Sequence, residues 1–450
     1  PHLRKSAARI ALFFLMLRET YGREIFFMRV LMLSWEYPPK NVGGLARHVY
    51  ELTKKLADQG EEIFLLTCAA EGAPQEENIN GIKVFRVNTL NLPSQDFVTW
   101  VLQLNFSLME KAITLEKRFG PFDLVHAHDW LVAFAARTIK HAYSVPLVST
   151  IHATEYGRNQ GLHNEVQRYI SDVEWWLTYE SWKVIVCSRY MKSELQNIFQ
   201  LPGNKINVVP NGVDTNSFKH VDASFQRRNY AADHEKIVFF VGRLVPEKGL
   251  EVLLDAAPKI LHYCPEAKFI VAGTGPSEEY LKKKAHMINI GSKVYFTGYI
   301  DDNTRNGLYK SADVAVFPST YEPFGIVALE GMAAKTPVVV TDVGGFSEVV
   351  EHGVDGLKAY PGNPNSLADN IIHLLKNPEF AQQIKERAYE KVENHFSWSK
   401  IAWKTTHVYQ TILEEAQHSN WERAAKERAR ESGSEKFSLL NAFTARLKLH

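Results

Sequence analysis

Cysteine is scarce in this chain. Cys68, Cys187 and Cys264 lie far apart and form no CxxC pair, which offers neither a disulfide framework nor a zinc knuckle. A reducing, cytoplasmic setting is therefore expected. Long apolar runs are missing as well: the longest early one, Ile10 to Leu17, stops at Arg18. It is much shorter than the roughly 20 residues that cross a bilayer, so no integral membrane segment is expected. Net charge is nearly absent, with 52 Lys and Arg against 51 Asp and Glu. No overall field draws this surface to nucleic acid or anionic lipid. There is no Asp-x-Asp, the usual carboxylate pair of metal-dependent sugar transfer. Neither GxGxxG nor GxxxxGK[ST] can be written through the first Gly-Gly loop, which removes the dinucleotide fingerprint and the Walker loop there.

What is present is an ordinary globular composition, 45% hydrophobic and 23% charged. The length of 450 residues is about twice what a single core supports, so two domains are expected. From Met28 a short apolar strand, a loop and an amphipathic helix recur, the mark of a parallel α/β sheet. The strands predicted in the first series are Met28–Ser34, Glu62–Thr67, Lys83–Val87, Asp123–Ala127, Pro146–Ile151, Lys183–Cys187 and Ile206–Val209, with helices such as Ala46–Gln59 and Met191–Phe199 between them. Pro210-Asn211-Gly212 and the polar stretch to His234 read as a hinge. A second series follows at Lys236–Val241, Ala267–Ala272, Lys293–Thr297, Val314–Phe317 and Pro337–Thr341. Ala381 to Glu415 is helical in pattern, broken at Phe396-Ser397-Trp398 where Ser397 could cap a new helix. The expected division is an extension over 1–27, a first domain over 28–215, a second over 216–398, a closing helix over 399–417 and a charged tail over 418–450. Two doubly wound units leave a cleft facing the carboxyl ends of both sheets, where such folds place ligands.

Four segments fall where that cleft needs its loops. Gly43-Gly44 follows the first strand and opens a helix, so backbone amides and the helix dipole could meet an anion there; a plain Gly-Gly loop is the alternative. Arg243 and Lys248 place two cations on one excursion past a strand, enough to neutralise a departing diphosphate without a metal ion, unless they are simply solvated. Gly273 and Gly275 sit on a similar strand-to-helix loop that could contact ribose or base. In Glu322-Pro323-Phe324-Gly325, a helix beginning near Phe324 would set Glu322 and Glu330 roughly 12 Å apart along eight helical residues. Paired-carboxylate hydrolysis needs roughly 5 to 9.5 Å, so separate hydroxyl-binding roles fit better. The amides of Phe324 and Gly325 could add donors.

His126-Ala127-His128-Asp129 has chelating spacing but no third ligand near in sequence, so no metal is expected and Asp129 reads as a cleft carboxylate. His152 stands just past a strand end, in the cleft position. Trp175, Trp176, Tyr179 and Trp182 form an aromatic cluster that could stack on sugars, with core packing the favoured reading.

In order along 28–417, the segments SWEYPPKNVGGLARHVYEL, HAHDWLVA, STIHATEYGR, NGVD, GRLVPEKG and EPFGIVALE resemble the retaining GT-B glycosyltransferases of the glycogen and starch synthase type, families 4 and 5. They are most similar to bacterial cytosolic α-1,4-glucan glucosyltransferases. The resemblance implies an α/β GT-B fold: two Rossmann-like domains face each other across a cleft, and a C-terminal helix returns to the first domain. It also implies ADP- or UDP-glucose as donor, an α-glucan or oligosaccharide acceptor, and no cofactor or metal; a hexosyltransferase of the same fold acting on a lipid or small-molecule acceptor is the alternative. Residue by residue, Arg243 and Lys248 would bind the donor diphosphate, Glu322 the transferred sugar and Glu330 the ribose. Gly44 would lend an amide to the phosphate, with Gly43, Gly273, Gly275, Phe324, Gly325 and Ile326 also on the donor side. His152 would sit beside the sugar and the attacked bond, and Asp129 and Glu155 on the acceptor side. Retention would proceed by attack on the face from which the nucleotide leaves, with no protein nucleophile. Larger starch synthases read Lys-x-Gly-Gly-Leu in the first loop; here Lys40 is displaced by one place, which takes its direct contact out of the pattern.

Overall fold

Short runs rich in Val, Ile, Leu and Phe, too short for helices and flanked by loop residues, become buried strands. In the computed structural model, which describes residues 27–41, 43–419 and 421, they form two sheets. The first contains β1 (Arg29–Leu33), β2 (Glu62–Cys68), β3 (Glu76–Ile79), β4 (Ile82–Val87), β5 (Leu124–His128), β6 (Leu147–Ile151), β7 (Lys183–Val186) and β8 (Ile206–Val208). Their order is β3-β4-β2-β1-β5-β6-β7-β8, parallel except for the β3–β4 pair. The second contains β9 (Lys236–Val241), β10 (Ala267–Ala272), β11 (Val294–Gly298), β12 (Val314–Phe317), β13 (Val338–Thr341) and β14 (Leu357–Ala359), in the order β11-β10-β9-β12-β13-β14, all parallel.

Both orders reverse direction part-way, between β1 and β5 in one sheet and between β9 and β12 in the other. Crevices outside the strand carboxyl ends open at such points. Segments after β1 and β6 meet the one after β12 across the gap: the Cβ position of Gly44 lies 3.5 Å from Ile326, and Thr154 N–H donates to Tyr321 OH at 3.4 Å. Two strands lie outside the expected set. β3 is an antiparallel edge strand of alternating exposure carrying Glu76 and Glu77, with no apolar run to announce it, and β14 is three residues long.

The closing helical segment divides into Pro378–His395 and Trp398–Gln417. Ser397 stands at the start of the second helix, but its side chain makes no capping bond; its carbonyl accepts from Lys400 N–H at 3.0 Å instead. The chain passes between the lobes twice at one place. There Val213 N–H donates to the Phe396 carbonyl at 2.8 Å. A Cβ on Gly212 would meet the Trp398 ring at 2.8 Å. Helix Trp398–Gln417 then buries Trp398, Ile401, Tyr409 and Ile412 in the core cluster of β1, β2 and helix Gly44–Asp58. Tyr409 and His126 share a hydrogen bond of 2.7 Å, so the returning helix is pinned to β5. Residues 1–26 and nearly all of the charged tail lie outside the described residues.

Candidate active site

On the second lobe the chain after β9 turns through Pro246–Lys248, and Lys248 Nζ donates to Glu322 Oε2 at 2.8 Å. Glu322 is buried and is further held by Ser319 Oγ at 3.3 Å. Two segments 74 residues apart are thus joined by one ion pair. Arg243, about half exposed, bonds Glu247 at 3.3 Å and is the freer cation. Gly273 explains how closely these loops approach. At φ +126° its missing Cβ would lie 2.0 Å from the Gly242 carbonyl oxygen, and that of Gly275 would lie 2.4 Å from the Leu244 oxygen. Their glycine identity follows from packing against the Arg243 loop.

The helix expected from Phe324 starts at Ile326 and ends at Ala333. Gly325, at φ +102°, breaks the helical path before it, and a Cβ there would strike the Phe346 ring at 2.3 Å. Phe324 is buried with its ring 6.2 Å from that of Phe396, so the side chain packs in the core and leaves only its backbone for a ligand. The first return bond of the helix is Ala328 N–H to the Gly325 carbonyl, so the donors at its mouth are those of Ile326 and Val327, two residues later than expected.

Gly44 opens the first-lobe helix Gly44–Asp58, and its Cβ position lies 3.5 Å from Ile326 Cδ1. Two helix N-termini, one from each lobe, therefore converge on one spot, and both present partial positive charge. Gly43 donates its N–H to Glu36 Oε2 at 3.3 Å. Val42 lies outside the described residues. Lys40 turns away, reaching Cys68 Sγ at 3.2 Å over the rings of Trp35 and Trp100. One turn into the helix, Arg47 reaches across to Glu330 Oε1 at 3.1 Å. Glu330 is buried and also accepts from Tyr309 OH at 3.2 Å.

The first lobe contributes imidazoles. His126 and His128 project from β5 and His152 follows β6. His128 Nδ1 and His152 Nε2 share a hydrogen bond of 3.1 Å, and His48 packs on His152 at 4.6 Å between ring centroids. Burial pushes the His152 pKa down to about 3 and holds His48, His126 and His128 well below the usual range, so all four rings are neutral at pH 7. His48, His128 and His152 have nitrogens within 4.8 Å of one another, a convergence that the HxH spacing alone does not contain. The facing nitrogens of His128 and His152 are used on each other, while Nε2 of His48 and of His128 are buried and bond to nothing among the described residues.

Asp129 takes φ +59°, rare for a residue with a side chain, and its Oδ1 accepts from His152 N–H at 2.8 Å. Burial raises its pKa to about 6 against the opposing pull of Arg158. Glu155 starts helix Glu155–Asn159, its N–H donating to both carboxylate oxygens of Glu174 at 3.0 and 3.1 Å. Glu174 is buried and raised to about 8. Sequence reasoning assigned no role to Arg47, His48, Arg158, Glu174 or Tyr321. Tyr321 OH bonds Glu194 at 3.0 Å and so docks the Glu322 loop on the first lobe. Arg47 and Arg158 sit inside quoted motifs, which was the available signal.

Residues 42–217 match the family described as Glycosyltransferase Family 4, and residues 222–391 match Glycosyl transferases group 1. An uncharacterised glycosyltransferase of Methanocaldococcus jannaschii is 40% identical over 86% of this chain and 99% of its own. The glycogen synthase of Mycobacterium tuberculosis is 34% identical over 85% of this chain and 94% of its own. This chain is a group 1 glycosyltransferase. Among solved structures, the sucrose-phosphate synthase of Thermosynechococcus elongatus superposes on this glycosyltransferase with a TM-score of 0.75 at 24% identity, over 86% of this chain and 99% of that one, and shares its GT-B fold. No described helix of the enzyme is long and apolar enough to cross a membrane.

Proposed function

We propose that this glycosyltransferase moves glucose from ADP- or UDP-glucose to the non-reducing end of an α-1,4-glucan, with retention of the anomeric configuration and without a metal ion. The observation that carries the reading is the Lys248–Glu322 pair, with Glu322 four residues ahead of the helix N-terminus at Ile326 that meets the one at Gly44. A cation and amide dipoles suit a diphosphate whose charge grows as the glycosidic bond breaks. The carboxylate beside them suits a sugar hydroxyl, bound by a charge-assisted hydrogen bond. Arg243 supplies the second positive charge, and Gly44 an amide. Gly43, Gly273, Gly275, Gly325 and Ile326 bring backbone to the donor, and Phe324 contributes its main chain alone. Glu330 holds the ribose once Arg47 yields it.

On the opposite wall, neutral His152 can hydrogen-bond a hydroxyl without introducing a charge. Asp129 and Glu155 receive the acceptor. The incoming hydroxyl then attacks on the side from which the nucleotide departs, and its proton passes to the leaving phosphate oxygen. The glucan as acceptor is supported by 34% identity to the mycobacterial glycogen synthase across nearly all of its length. Incubation with each nucleotide-glucose and maltooligosaccharide primers should release nucleoside diphosphate and lengthen the glucan. Absence of both nucleoside diphosphate release and glucan lengthening would contradict the proposal.

A further inference from the structure

The aromatic cluster read from the sequence divides in the folded chain. Trp176 packs on Phe134 and under Arg137, and Trp182 Nε1 donates to Glu415 at 2.7 Å. Trp175 and Tyr179 instead face outward, 43% and 63% exposed, with rings stacked 5.5 Å apart. They lie on helix Glu165–Glu180 along one stripe with Asp172, at spacings of three and four residues. Helix Arg189–Phe199 presents a matching stripe of Tyr190, Ser193 and Asn197. Residues of both helices, together with Tyr156, line a groove of about 700 Å³.

We infer that this groove binds a neutral oligosaccharide, the part of the acceptor chain that extends beyond the reacting end. The lining chemistry selects the occupant. Tyr156, Trp175 and Tyr190 are exposed rings against which the apolar face of a pyranose can lie, and Asp172, Ser193 and Asn197 supply acceptors and donors for hydroxyls. No Lys or Arg is among the lining residues, which removes the counter-charge that a phosphate or an anionic lipid head would need. The groove also adjoins the reaction centre. Tyr156 follows Glu155 in the chain, the Tyr190 ring lies 6.2 Å from that of Tyr321, and Tyr321 precedes Glu322. Tyr190 N–H further donates to Glu348 of the second lobe at 2.8 Å, so this lining residue is tied to both lobes.

Oligosaccharide binding in the groove stands on the lining alone; the inference rests on the proposed transfer for reading that oligosaccharide as acceptor chain and for the choice of an α-1,4-linked probe. Calorimetric titration of the whole enzyme with maltoheptaose, at saturating ADP or UDP, tests it beside a parallel assay of glucose transfer. Trp175→Ala should weaken maltoheptaose binding about three- to tenfold, the effect of one lost aromatic contact. Trp175→Phe should keep most of it, and nucleotide affinity should stay unchanged in both. Binding that depends on Trp175 in an enzyme that transfers no glucose to glucan upholds the groove and refutes the proposed reaction. Transfer accompanied by equal maltoheptaose affinity in wild type and Trp175→Ala refutes the groove and leaves the reaction standing. No maltoheptaose binding to the wild type, or Trp175-dependent binding to phosphatidylglycerol vesicles in its place, also overturns the inference.

Discussion

The two walls of the cleft are built on different principles. The second lobe places charge at its rim by bringing segments together more closely than a Cβ permits: Gly273 and Gly275 lie against the backbone of the 242–244 segment, and Gly325 lies against the Phe346 ring. The first lobe buries its polar groups as neutral imidazoles and a raised carboxyl, held by hydrogen bonds along strands β5 and β6. Fixed charges without Cβ atoms in the way suit a group whose own charge changes during reaction. Neutral hydrogen-bonding side chains suit a group that stays uncharged. In the proposed reaction the leaving diphosphate belongs to the charged wall and the hydroxyl acceptor to the neutral one.

That contrast can be broken first at the backbone. Gly273→Ala adds a Cβ 2.0 Å from a carbonyl oxygen at a positive φ, and should cost on the order of 3 kcal/mol, seen as a lower denaturation midpoint of the second lobe. An unchanged midpoint would show that the loops do not depend on this approach. Lys248→Ala and Glu322→Gln should each reduce turnover by about a hundredfold or more, the scale of one lost transition-state contact. Near-normal rates in steady-state assays would remove the charged rim from the mechanism.

The first lobe should reveal itself through pH. Glu174, raised from 4.5 to about 8, stabilises the fold below pH 4.5, and that contribution is lost as pH rises through about 8. His152, lowered from 6.5 to about 3, acts in the opposite sense: its contribution is complete above pH 6.5 and is lost as pH falls through about 3. Denaturation measured across pH 5 to 9 should therefore show an alkaline decline that Glu174→Gln flattens. An identical decline in that variant would contradict the assignment. The smallest effect belongs to the bridge between the walls. Arg47→Ala frees Glu330 from a partly buried ion pair and should change the donor KM by about threefold, with kcat nearly preserved. A large fall in kcat would instead place Arg47 in the chemistry.

How much of this the sequence contained follows from how local each feature is. Strands such as Val314–Phe317 announced themselves as apolar runs, and the loops after them carried Arg243, Lys248 and Glu322 within a few residues of a strand end. β3 was hidden because an exposed edge strand needs no apolar run. The start of the Ile326 helix was displaced because Gly325 adopts a left-handed conformation, beside a Phe346 ring, twenty-one residues on, that leaves no room for a Cβ. The imidazole cluster was illegible for the same reason: His48, His128 and His152 come from a helix and two strand ends, and only the sheet order makes them neighbours. The split of the tryptophans into packed and exposed members likewise depends on which helix face meets the lobe.

The division of labour between the walls is tested most directly by a crystal structure of the enzyme with its nucleotide-glucose donor bound. The account predicts Lys248 Nζ and the Arg243 guanidinium within hydrogen-bond distance of the phosphate oxygens, with Glu322 on a hydroxyl of the sugar. Phosphates lying against the histidines of the first lobe, with Arg243 and Lys248 turned away from them, would contradict it.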